Sequence, residues 1–587
     1  MAGCAEGFTK SEKLMIKRLA LFPIFVWASR YNKQTFASDI IAAVIVTIML
    51  IPQSLAYAML AGLPAEVGLY ASITPLVAYA ILGTSSTLSV GPVAITSLMT
   101  ASALAEIAQQ GSADYLSAAI TLAALSGLML LGFGLLRLGF LANFLSHTVV
   151  SAFITGSAII IALSQVSHLF GTKSAGDNIF ELLGSLSSGL QNANGYTLLL
   201  GVGVLAFLYL ARKQGVDTLV KLGLSQTNSQ LAAKAAPVVG VLLTIAITYQ
   251  FGLERQGVAV VGSIPRGLPQ LTMPDFSLEL IKMLLLPAAL ISIIGYVESI
   301  SVGRTLGAQK RERVNSNQEL VGLGAANLAS AFSGAFPVTG GFSRSVVNFD
   351  AGARTQASSI FTAILIALVS LFLTPFLYYL PKATLAATII IAVLALVDFS
   401  VIKKTWRFKK SDWMAVVSTI VMTLGFGVEV GVSCGVIISL GLHMFRTSKP
   451  HIAEVGQVEG TEHFRNVKRY RVETAPEILT LRVDESLFFA NASYLEELIY
   501  EQVFKHDKIA HVILMCNAMN EIDYSALEIL EELNCRLAEQ GILFHLSEVK
   551  GPVLDRLRTS RFVDDLTGCI YLSQFEAYTD VKERYGY

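Results

Sequence analysis

The sequence predicts a polytopic α-helical membrane protein that ends in a small α/β domain. Of its 587 residues, 53% are hydrophobic and 15% are charged, which is too apolar for a water-soluble protein of this length. The region from Phe36 to Phe445 has room for about fourteen apolar segments of the roughly 20 residues that a spanning helix needs. After Arg446 the pattern changes to alternating strands and helices.

The first 35 residues precede this apolar region. They carry the basic residues Lys10, Lys13, Lys17 and Arg18 around a short mixed run, whereas a cleaved signal peptide has a clean apolar core that ends in small residues. We interpret residues 1–35 as a cytoplasmic amphipathic lead-in.

A transmembrane domain is predicted over residues 36–446. Its candidate spans begin near Ala37, Gly68, Val93, Tyr115, Ser146, Tyr196, Ala236, Leu280, Leu320, Phe342, Ser358, Thr384, Trp413 and Gly427. Lys and Arg cluster at 30–33, 212–234, 304–313 and 403–410. With both chain ends inside, this set of spans places those clusters on the cytoplasmic side, as the positive-inside rule expects.

Two segments interrupt the apolar pattern. Ser85–Leu98 and Gly334–Val347 each combine Gly, Pro and hydroxyl residues with the start of an apolar helix, and the second also holds Arg344. Irregular backbone at membrane depth is tolerated only where protein or a water-filled cavity covers it. A helix that starts after Gly341 would direct free N–H groups and its positive dipole end toward such a cavity, beside Arg344. This arrangement suits an anion.

The two interrupted segments occupy corresponding places in the chain. Each follows a span with a polar middle, which contains Gln53 in the first half and Glu298 in the second. The helix start of the first segment follows Gln53 by 40 positions, and that of the second follows Glu298 by 44. Matching interruptions in two halves predict a secondary transporter built of inverted repeats, roughly 36–252 and 277–446, with a site near the bilayer midplane.

Glu298 and Arg344 are the candidate charged groups of this site. A carboxylate in the apolar run Leu290–Val302 is costly and marks a functional site by default. Glu298 either carries a coupling proton or cation, or forms a static ion pair with Arg344. Arg344 either binds an oxyanion through its planar fork, or is satisfied by helix-end carbonyls and contributes only its field.

Three uncharged side chains can reach the same cavity. Gln53 and Tyr57 lie one turn apart on one helix face, although ordinary packing is the alternative for Tyr57. Ser343 offers a hydroxyl and a backbone N–H at a helix start. No other constellation of this kind stands out in the sequence.

The remaining ionisable residues indicate no further chemistry. Asp39, Glu66 and Glu429 lie near span ends, where we expect solvated groups. The five cysteines show no paired spacing and no nearby histidine pattern, so neither a disulfide framework nor a zinc site is indicated. The Gly-rich stretches lack the Lys-Ser/Thr of a phosphate-binding loop, which argues against ATP-driven pumping.

The C-terminal part is acidic and has the pattern of an α/β domain. Residues 446–587 hold 16 Lys and Arg against 24 Asp and Glu. The predicted strands are Glu477–Val483, Ala510–Met515 and Leu543–Leu546, and the predicted helices are Tyr494–Phe504, Ser525–Glu539 and Pro552–Thr559. The sequence shows no nucleophile and base pair in this domain, so we do not expect an enzyme.

Taken together, these motifs resemble the sulfate permease (SulP) family of anion transporters. The resemblance is carried by Ile51–Ala58, Ala61–Pro64, Gly68–Tyr70, Gly83–Ser85, Gly91–Pro92 and Ser343–Ser345. Residues 447–587 resemble a STAS domain. The resemblance implies fourteen spans as two inverted seven-span repeats, a core and a gate domain, elevator-type movement of the core, a homodimer and a cytoplasmic STAS-like domain.

The resemblance also implies a site. Its substrate-binding residues would be Gln53, Tyr57, Val93, Ala94, Phe342, Ser343 and Arg344. Glu298 stands where some relatives couple transport to a cation or a proton. The STAS-like part departs from its soluble relatives, because Tyr524 rather than a serine follows Asp523, and this puts a serine-phosphorylation switch in doubt.

We therefore expect a secondary active transporter in the plasma (inner) membrane, with both termini cytoplasmic. Proton-coupled sulfate symport is the leading hypothesis. Na⁺-coupled bicarbonate uptake, chloride/bicarbonate exchange and dicarboxylate transport are alternatives, and a membrane sensor that signals through the STAS-like domain is the non-transport alternative. We expect no cofactor beyond a coupling proton or sodium ion, no metal site and no nucleic-acid partner. A cytosolic protein partner of the STAS-like domain is also expected.

Overall fold

The protein divides into two compact units, one up to Ser439 and the other from Leu440 to Tyr587. The computed structural model describes residues 22–29, 31–105, 107–110, 112–143, 147–172, 176, 178–221, 223, 225–226, 229, 233 and 235–587. Most of the predicted lead-in 1–35 lies outside these residues. Cys4 and the predicted span start at Ser146 lie outside them as well.

The first unit is built of helices with one pair of very short strands. In chain order the elements are α1 (Ile24–Ala28), α2 (Lys33–Leu60), α3 (Ala65–Tyr70), α4 (Thr74–Leu82), β1 (Val90–Gly91), α5 (Ala94–Ala105), α6 (Ala113–Leu135), α7 (His147–Leu169), α8 (Ile179–Gly189), α9 (Gly195–Lys221), α10 (Ala236–Phe251), α11 (Leu278–Lys310), α12 (Ser316–Phe332), β2 (Thr339–Gly340), α13 (Phe342–Asp350), α14 (Ala357–Phe372), α15 (Lys382–Leu394), α16 (Ser400–Phe408), α17 (Lys410–Phe426) and α18 (Val428–Ser448).

The predicted span starts agree with the observed helices. Within the described part of the chain, each predicted start falls within four residues of a helix start. By length and composition, six of the segments that the structure describes can cross a membrane, namely α2, α3 with α4, α6, α7, α9 and α11. Four apolar helices, α5, α10, α14 and α15, are shorter. The predicted fold class of a helical membrane domain is confirmed, whereas the number of spans stays a prediction.

The helices pack as two groups, each drawn from both halves of the chain. In the first, α12 packs against α6 and α4, α14 against α2, and α11 against α6. In the second, α7 packs against α15 and α17, and α9 packs against α15. Small residues permit the closest approach in the first group: a β-carbon on Gly324 would meet the Leu131 backbone nitrogen at 2.8 Å, so glycine lets α12 lie directly on α6.

Asp39 corrects an expectation from the sequence. We expected a solvated carboxylate at a span end, but the side chain is fully buried. Its oxygens accept hydrogen bonds from the Arg354 N–H (2.6 Å), the Thr355 N–H (3.1 Å) and the Thr355 hydroxyl (2.6 Å). Asp39 therefore ties the start of α2 to the turn between α13 and α14.

The second unit is an α/β domain with a six-stranded sheet. Its elements after α18 are β3 (Ile452–Gln457), β4 (Phe464–Asn466), β5 (Ile478–Val483), α19 (Ala492–Lys505), β6 (His511–Met515), α20 (Tyr524–Glu539), β7 (Leu543–Ser547), α21 (Gly551–Leu557), α22 (Phe562–Asp565), β8 (Ile570–Tyr571) and α23 (Gln574–Tyr585). The strand order is β4-β3-β5-β6-β7-β8. Strands β5 to β8 are parallel, whereas β3 runs antiparallel to both β5 and β4.

The two faces of this sheet carry separate apolar cores. Val512 and Leu514 of β6 pack with α19, α20 and α21, whereas Ile513 and Met515 pack with β3 and α23. This alternation is the period of two that side chains follow along a strand. Each of the six elements predicted here is present, while β3, β4, α22, β8 and α23 were not predicted from the sequence.

Candidate anion-binding site

The two interrupted segments meet in the interior of the first unit. β1 and β2 form an antiparallel pair, with Val90 opposite Gly340 and Gly91 opposite Thr339, and all four residues are buried. Helix α5 begins three residues after β1, and α13 begins two residues after β2. The structure therefore places two helix starts beside one short ladder, as the sequence predicted for α13.

Polar side chains of neighbouring helices hold the second segment in place. The Ser299 hydroxyl of α11 accepts a hydrogen bond from the Gly340 N–H at 2.9 Å and lies 2.8 Å from the Thr339 hydroxyl. The Asn327 side chain of α12 accepts from the Val338 N–H and donates to the Val338 carbonyl, both at 2.9 Å. These contacts satisfy extended backbone that has no helical partner at this depth.

Glu319, which was not predicted from the sequence, holds the first segment. Its fully buried carboxylate accepts from the Tyr79 hydroxyl (2.7 Å), the Thr84 N–H (2.7 Å), the Thr84 hydroxyl (2.5 Å) and the Ser85 N–H (3.2 Å). A buried carboxylate without a cation needs such a set of donors. Glu319 thereby fixes the turn that leads into β1. A Glu at the first turn of an apolar span was the signal available in the sequence.

Helix α13 is also joined to the first segment. The Ser345 hydroxyl accepts from the Ser89 N–H at 3.0 Å and donates to the Gly341 carbonyl at 2.7 Å. The Asn348 amide donates to the Thr87 carbonyl at 3.1 Å. The two segments are therefore joined by hydrogen bonds, which hold α13 next to the residues just before β1.

Arg344 projects from the first turn of α13 toward the first segment. Its side chain is 2% exposed, and neither Nη1 nor Nη2 has a hydrogen-bond partner among the described residues. The guanidinium lies against two glycines: a β-carbon would meet Nη1 at 3.0 Å from Gly91 and Nη2 at 2.9 Å from Gly341. A buried cation with free donors is costly, and an anion would satisfy it. The alternative in which helix-end carbonyls satisfy Nη1 and Nη2 is not observed.

Glu298 and Tyr57 are the charged and phenolic neighbours of Arg344. Each lies close enough for an electrostatic interaction with the guanidinium. Among the described residues the terminal nitrogens of Arg344 have no hydrogen-bond partner, so the static ion pair with Glu298 considered from the sequence is not observed. The half-buried Glu298 carboxylate is left as a separate titratable group of the site.

The remaining predicted residues lie on helices that pack together here. Gln53 and Tyr57 are buried on α2, one turn apart and close to Pro52 inside that helix. Helix α2 packs against α5 and α13, and α11 packs against the same two helices. No hydrogen bond of the described residues engages the Gln53 amide or the Tyr57 hydroxyl.

The two helix starts differ in exposure. Val93 and Ala94 are buried, whereas Phe342 is 47% exposed and Ser343 is also exposed. Gly341, the residue before α13, supplies no side chain to cap the first N–H groups. Those groups stay available to a ligand. The binding roles of these four residues, and of Gln53, Tyr57 and Arg344, stay predictions.

A helical membrane domain whose broken segments meet at an internal polar point defines a multi-spanning transport protein. Residues 36–419 match the family model described as the sulfate permease family, and residues 469–577 match the STAS domain model. The chain therefore belongs to the sulfate permease family and carries a C-terminal STAS domain, which confirms the resemblance drawn from the sequence.

Known proteins are similar over most of the chain. "Sulfate transporter 4.1, chloroplastic" of Arabidopsis thaliana is 38% identical over 526 residues, which cover 87% of this chain and 75% of that protein. A probable sulfate transporter of Mycobacterium tuberculosis is 32% identical over 547 residues, or 93% and 95% of the two chains. The solved structure of the murine Solute Carrier 26 family member A9 anion transporter has the same fold, with a TM-score of 0.88 at 22% identity over 99% of this chain and 96% of that one.

Proposed function

We propose that this protein is a secondary active transporter that takes up small inorganic anions, with sulfate as the first substrate and protons as the coupling ions. The observation that carries the proposal is the buried guanidinium of Arg344 beside the start of α13, whose Nη1 and Nη2 have no hydrogen-bond partner in the described part of the chain. Relatives that share more than 30% identity over most of the chain are named as sulfate transporters, which supports the choice of substrate.

In the proposed cycle a dianion binds between the starts of α5 and α13. The guanidinium of Arg344 and the free N–H groups of both helices neutralise its charge. Gln53, Tyr57 and Ser343 contribute neutral donors. A site made largely of N–H and O–H donors can release its anion once the cavity opens to water, because water offers the same donors.

Charge balance favours symport. A cytoplasm-negative potential opposes the entry of an anion by about 2.3 kcal/mol per charge per 100 mV. A dianion that enters with two or more protons avoids this cost, and Glu298 is the group that carries a proton beside the anion. Elevator-type movement of the first helix group past the second would then present the loaded site to the other side.

We place the protein in the plasma (inner) membrane with both termini cytoplasmic, because the clusters of Lys and Arg then lie inside. A homodimer and a cytosolic partner of the STAS domain are part of the same proposal. No enzymatic activity is proposed.

The test is uptake of radiolabelled sulfate into proteoliposomes that contain only this protein, with and without an inward proton gradient. Accumulation of sulfate above its equilibrium level when the gradient is present supports proton symport. Bicarbonate flux that needs Na⁺ or exchanges for chloride would identify bicarbonate as the substrate in place of sulfate. Dicarboxylate flux would identify a dicarboxylate. Anion binding without any flux would support the sensor alternative and contradict transport.

A further inference from the structure

Helix α16 is a short amphipathic helix on the surface of the first unit. Val401 and Thr405 are buried, and Val401 packs in an apolar cluster with Ala152 of α7 and with Val416 and Ile420 of α17. On the opposite face, the side chains of Lys403, Trp406 and Arg407 are exposed in the part of the chain that the structure describes. This face continues into the first residues of α17.

The uncovered face is strongly basic. Five exposed cations lie within eight residues, namely Lys403, Lys404, Arg407, Lys409 and Lys410. The carboxylates within residues 398–413 are Asp398 and Asp412. In the part of the chain that the structure describes, no salt bridge engages any of the five cations. The patch therefore carries an excess of positive charge.

Large aromatic side chains stand among these cations. Trp406 and Trp413 are in edge-to-face contact, with ring centroids 4.7 Å apart. Phe399 is 57% exposed and Phe408 is 88% exposed. A shallow surface depression of about 410 Å³, open to solvent, is lined by Phe399, Ile402, Lys403, Trp406 and Trp413. Its lining combines one ammonium group with apolar rings.

We propose that this patch, Phe399–Trp413, binds an anionic phospholipid of the membrane in which the protein resides. Lys403, Lys404 and Arg407 hold the phosphate of the headgroup, and the acyl chains lie along the rings of Trp406, Trp413 and Phe399. Tryptophan and lysine side chains of this kind are typical of the membrane–water boundary, and clustered Lys and Arg there attract anionic lipids.

A lipid fits this patch better than the other anionic occupants. A free phosphate would use the cations and leave Phe399, Trp406 and Phe408 in water, although exposed apolar clusters of this size mark interaction sites. An acidic protein surface would use the same cations but offers no acyl chain for the depression. The proposal rests on membership in a family of membrane proteins and does not depend on which anion is transported.

The three tryptophans of the chain provide the experiment. They are Trp27, Trp406 and Trp413, so Trp27→Phe leaves tryptophan fluorescence only at the patch. The variant is reconstituted in phosphatidylcholine vesicles that contain a minor fraction of one brominated lipid. This lipid is either phosphatidylglycerol or phosphatidylcholine, with the same brominated acyl chains and at the same fraction. Bromine quenches a tryptophan that contacts the chain carrying it. We expect the anionic lipid to be preferred by roughly fivefold or more, the effect of one basic residue near an anionic surface.

Charge removal and salt complete the test. In the Trp27→Phe background, Lys403→Gln with Lys404→Gln and Arg407→Gln should reduce the preference to less than half. The matched control, Lys468→Gln with Arg469→Gln and Arg471→Gln, removes the same charge from the C-terminal domain and should leave it unchanged. High ionic strength should weaken the preference in the parent protein, which keeps the test independent of how the triple variant folds.

Four results would overturn the proposal: equal quenching by the two lipids, no quenching by either, a preference that survives removal of the three cations, or a preference abolished by inorganic phosphate but not by sodium chloride at the same ionic strength. The second would mean that another surface covers the patch. The last would assign the patch to a soluble anion.

Discussion

The guanidinium of Arg344 lies directly on Gly91, so that a β-carbon at position 91 would stand 3.0 Å from Nη1. Gly91 belongs to the short strand β1, and Arg344 to the first turn of α13. The absence of a side chain on one interrupted segment thus makes room for the charged group of the other. The two halves of the chain contribute jointly to one candidate site.

A methyl group at position 91 should therefore displace the guanidinium while leaving the fold intact. We expect Gly91→Ala to weaken sulfate binding roughly tenfold, as when a hydrogen bond to a charged group is lost. Equilibrium binding of radiolabelled sulfate measures the effect. Gly132→Ala is the control, because a β-carbon there meets nothing within 4 Å. Equal affinities for the two variants would mean that the position of the guanidinium does not matter for binding.

Glu319 should be required for the stability of the first segment. Glu319→Ala leaves four donors without an acceptor, on Tyr79, Thr84 and Ser85, at a cost on the order of 3 kcal/mol or more in the free energy of unfolding. Thermal unfolding of the detergent-solubilised protein should show a lower transition temperature.

Glu312→Ala provides the comparison for this measurement. Glu312 is exposed and accepts one hydrogen bond, from the Ser86 hydroxyl at 2.6 Å, so its loss should cost about 1 kcal/mol or less. If both variants unfold at the same temperature, the donors around Glu319 find other partners and its proposed role as an anchor is wrong.

These residues also show what the sequence could and could not predict. The interruption around Gly334–Val347 was recognisable because Gly, Pro and Arg344 conflict with a plain spanning helix. The start of α13 after Gly341 follows from the same conflict. Local patterns of this kind involve a few neighbouring residues, so they can be predicted from a single sequence.

Hydrogen-bond partners that lie far apart in the chain could not be predicted in this way. Glu319 and Thr84 are 235 positions apart, and Asp39 and Thr355 are 316 apart. Nothing local distinguishes a carboxylate that meets distant backbone donors from one that faces water at a span end. The burial of Asp39 was therefore mispredicted, and the anchoring role of Glu319 was not predicted.

The sheet of the STAS domain contains a pair of buried histidines whose protonation should weaken it. The His545 Nδ1 accepts from the Cys569 N–H at 3.1 Å, so its Nε2–H can donate to His511 Nδ1 at 3.2 Å. Burial, together with the neighbouring His511, lowers the pKa of His545 to about 4, and burial also lowers the pKa of His511. Both imidazoles are neutral at neutral pH.

The sign of the pH effect follows from these lowered values. An unfolded histidine has a pKa of about 6.5. As the pH falls from about 6.5 toward about 4, the unfolded domain binds protons that the folded domain does not bind, so the free energy of unfolding decreases. Hydrogen exchange of α23 in the full-length protein, compared at about pH 7.5 and about pH 5, should show reduced protection at the lower pH.

His511→Phe should reduce this pH dependence, because one of the two titrating imidazoles is removed while an aromatic ring remains against Tyr585. His506→Gln, which changes an exposed histidine of the same domain, should leave the pH dependence as it is. Protection of α23 that does not change with pH would contradict the role assigned to the pair.

Glu298 should couple transport to protons without being needed to bind the anion. We expect Glu298→Gln to remove the stimulation of sulfate uptake by an inward proton gradient, because the amide carries no titratable proton. Exchange of labelled for unlabelled sulfate should persist. Glu279→Gln changes an exposed carboxylate on the same helix and should keep its response to the gradient. Unchanged proton dependence in Glu298→Gln would assign coupling to another group.

The role of Arg344 in anion binding is tested most directly by equilibrium binding of radiolabelled sulfate to the purified protein and to its Arg344→Gln variant. Arg344→Gln removes the buried charge, whereas the control Arg255→Gln removes an exposed one. Arg344→Gln should bind sulfate at least about tenfold more weakly, while Arg255→Gln should bind as the parent does. Sulfate affinity that is unaffected by Arg344→Gln would contradict the assignment of this guanidinium to the anion site.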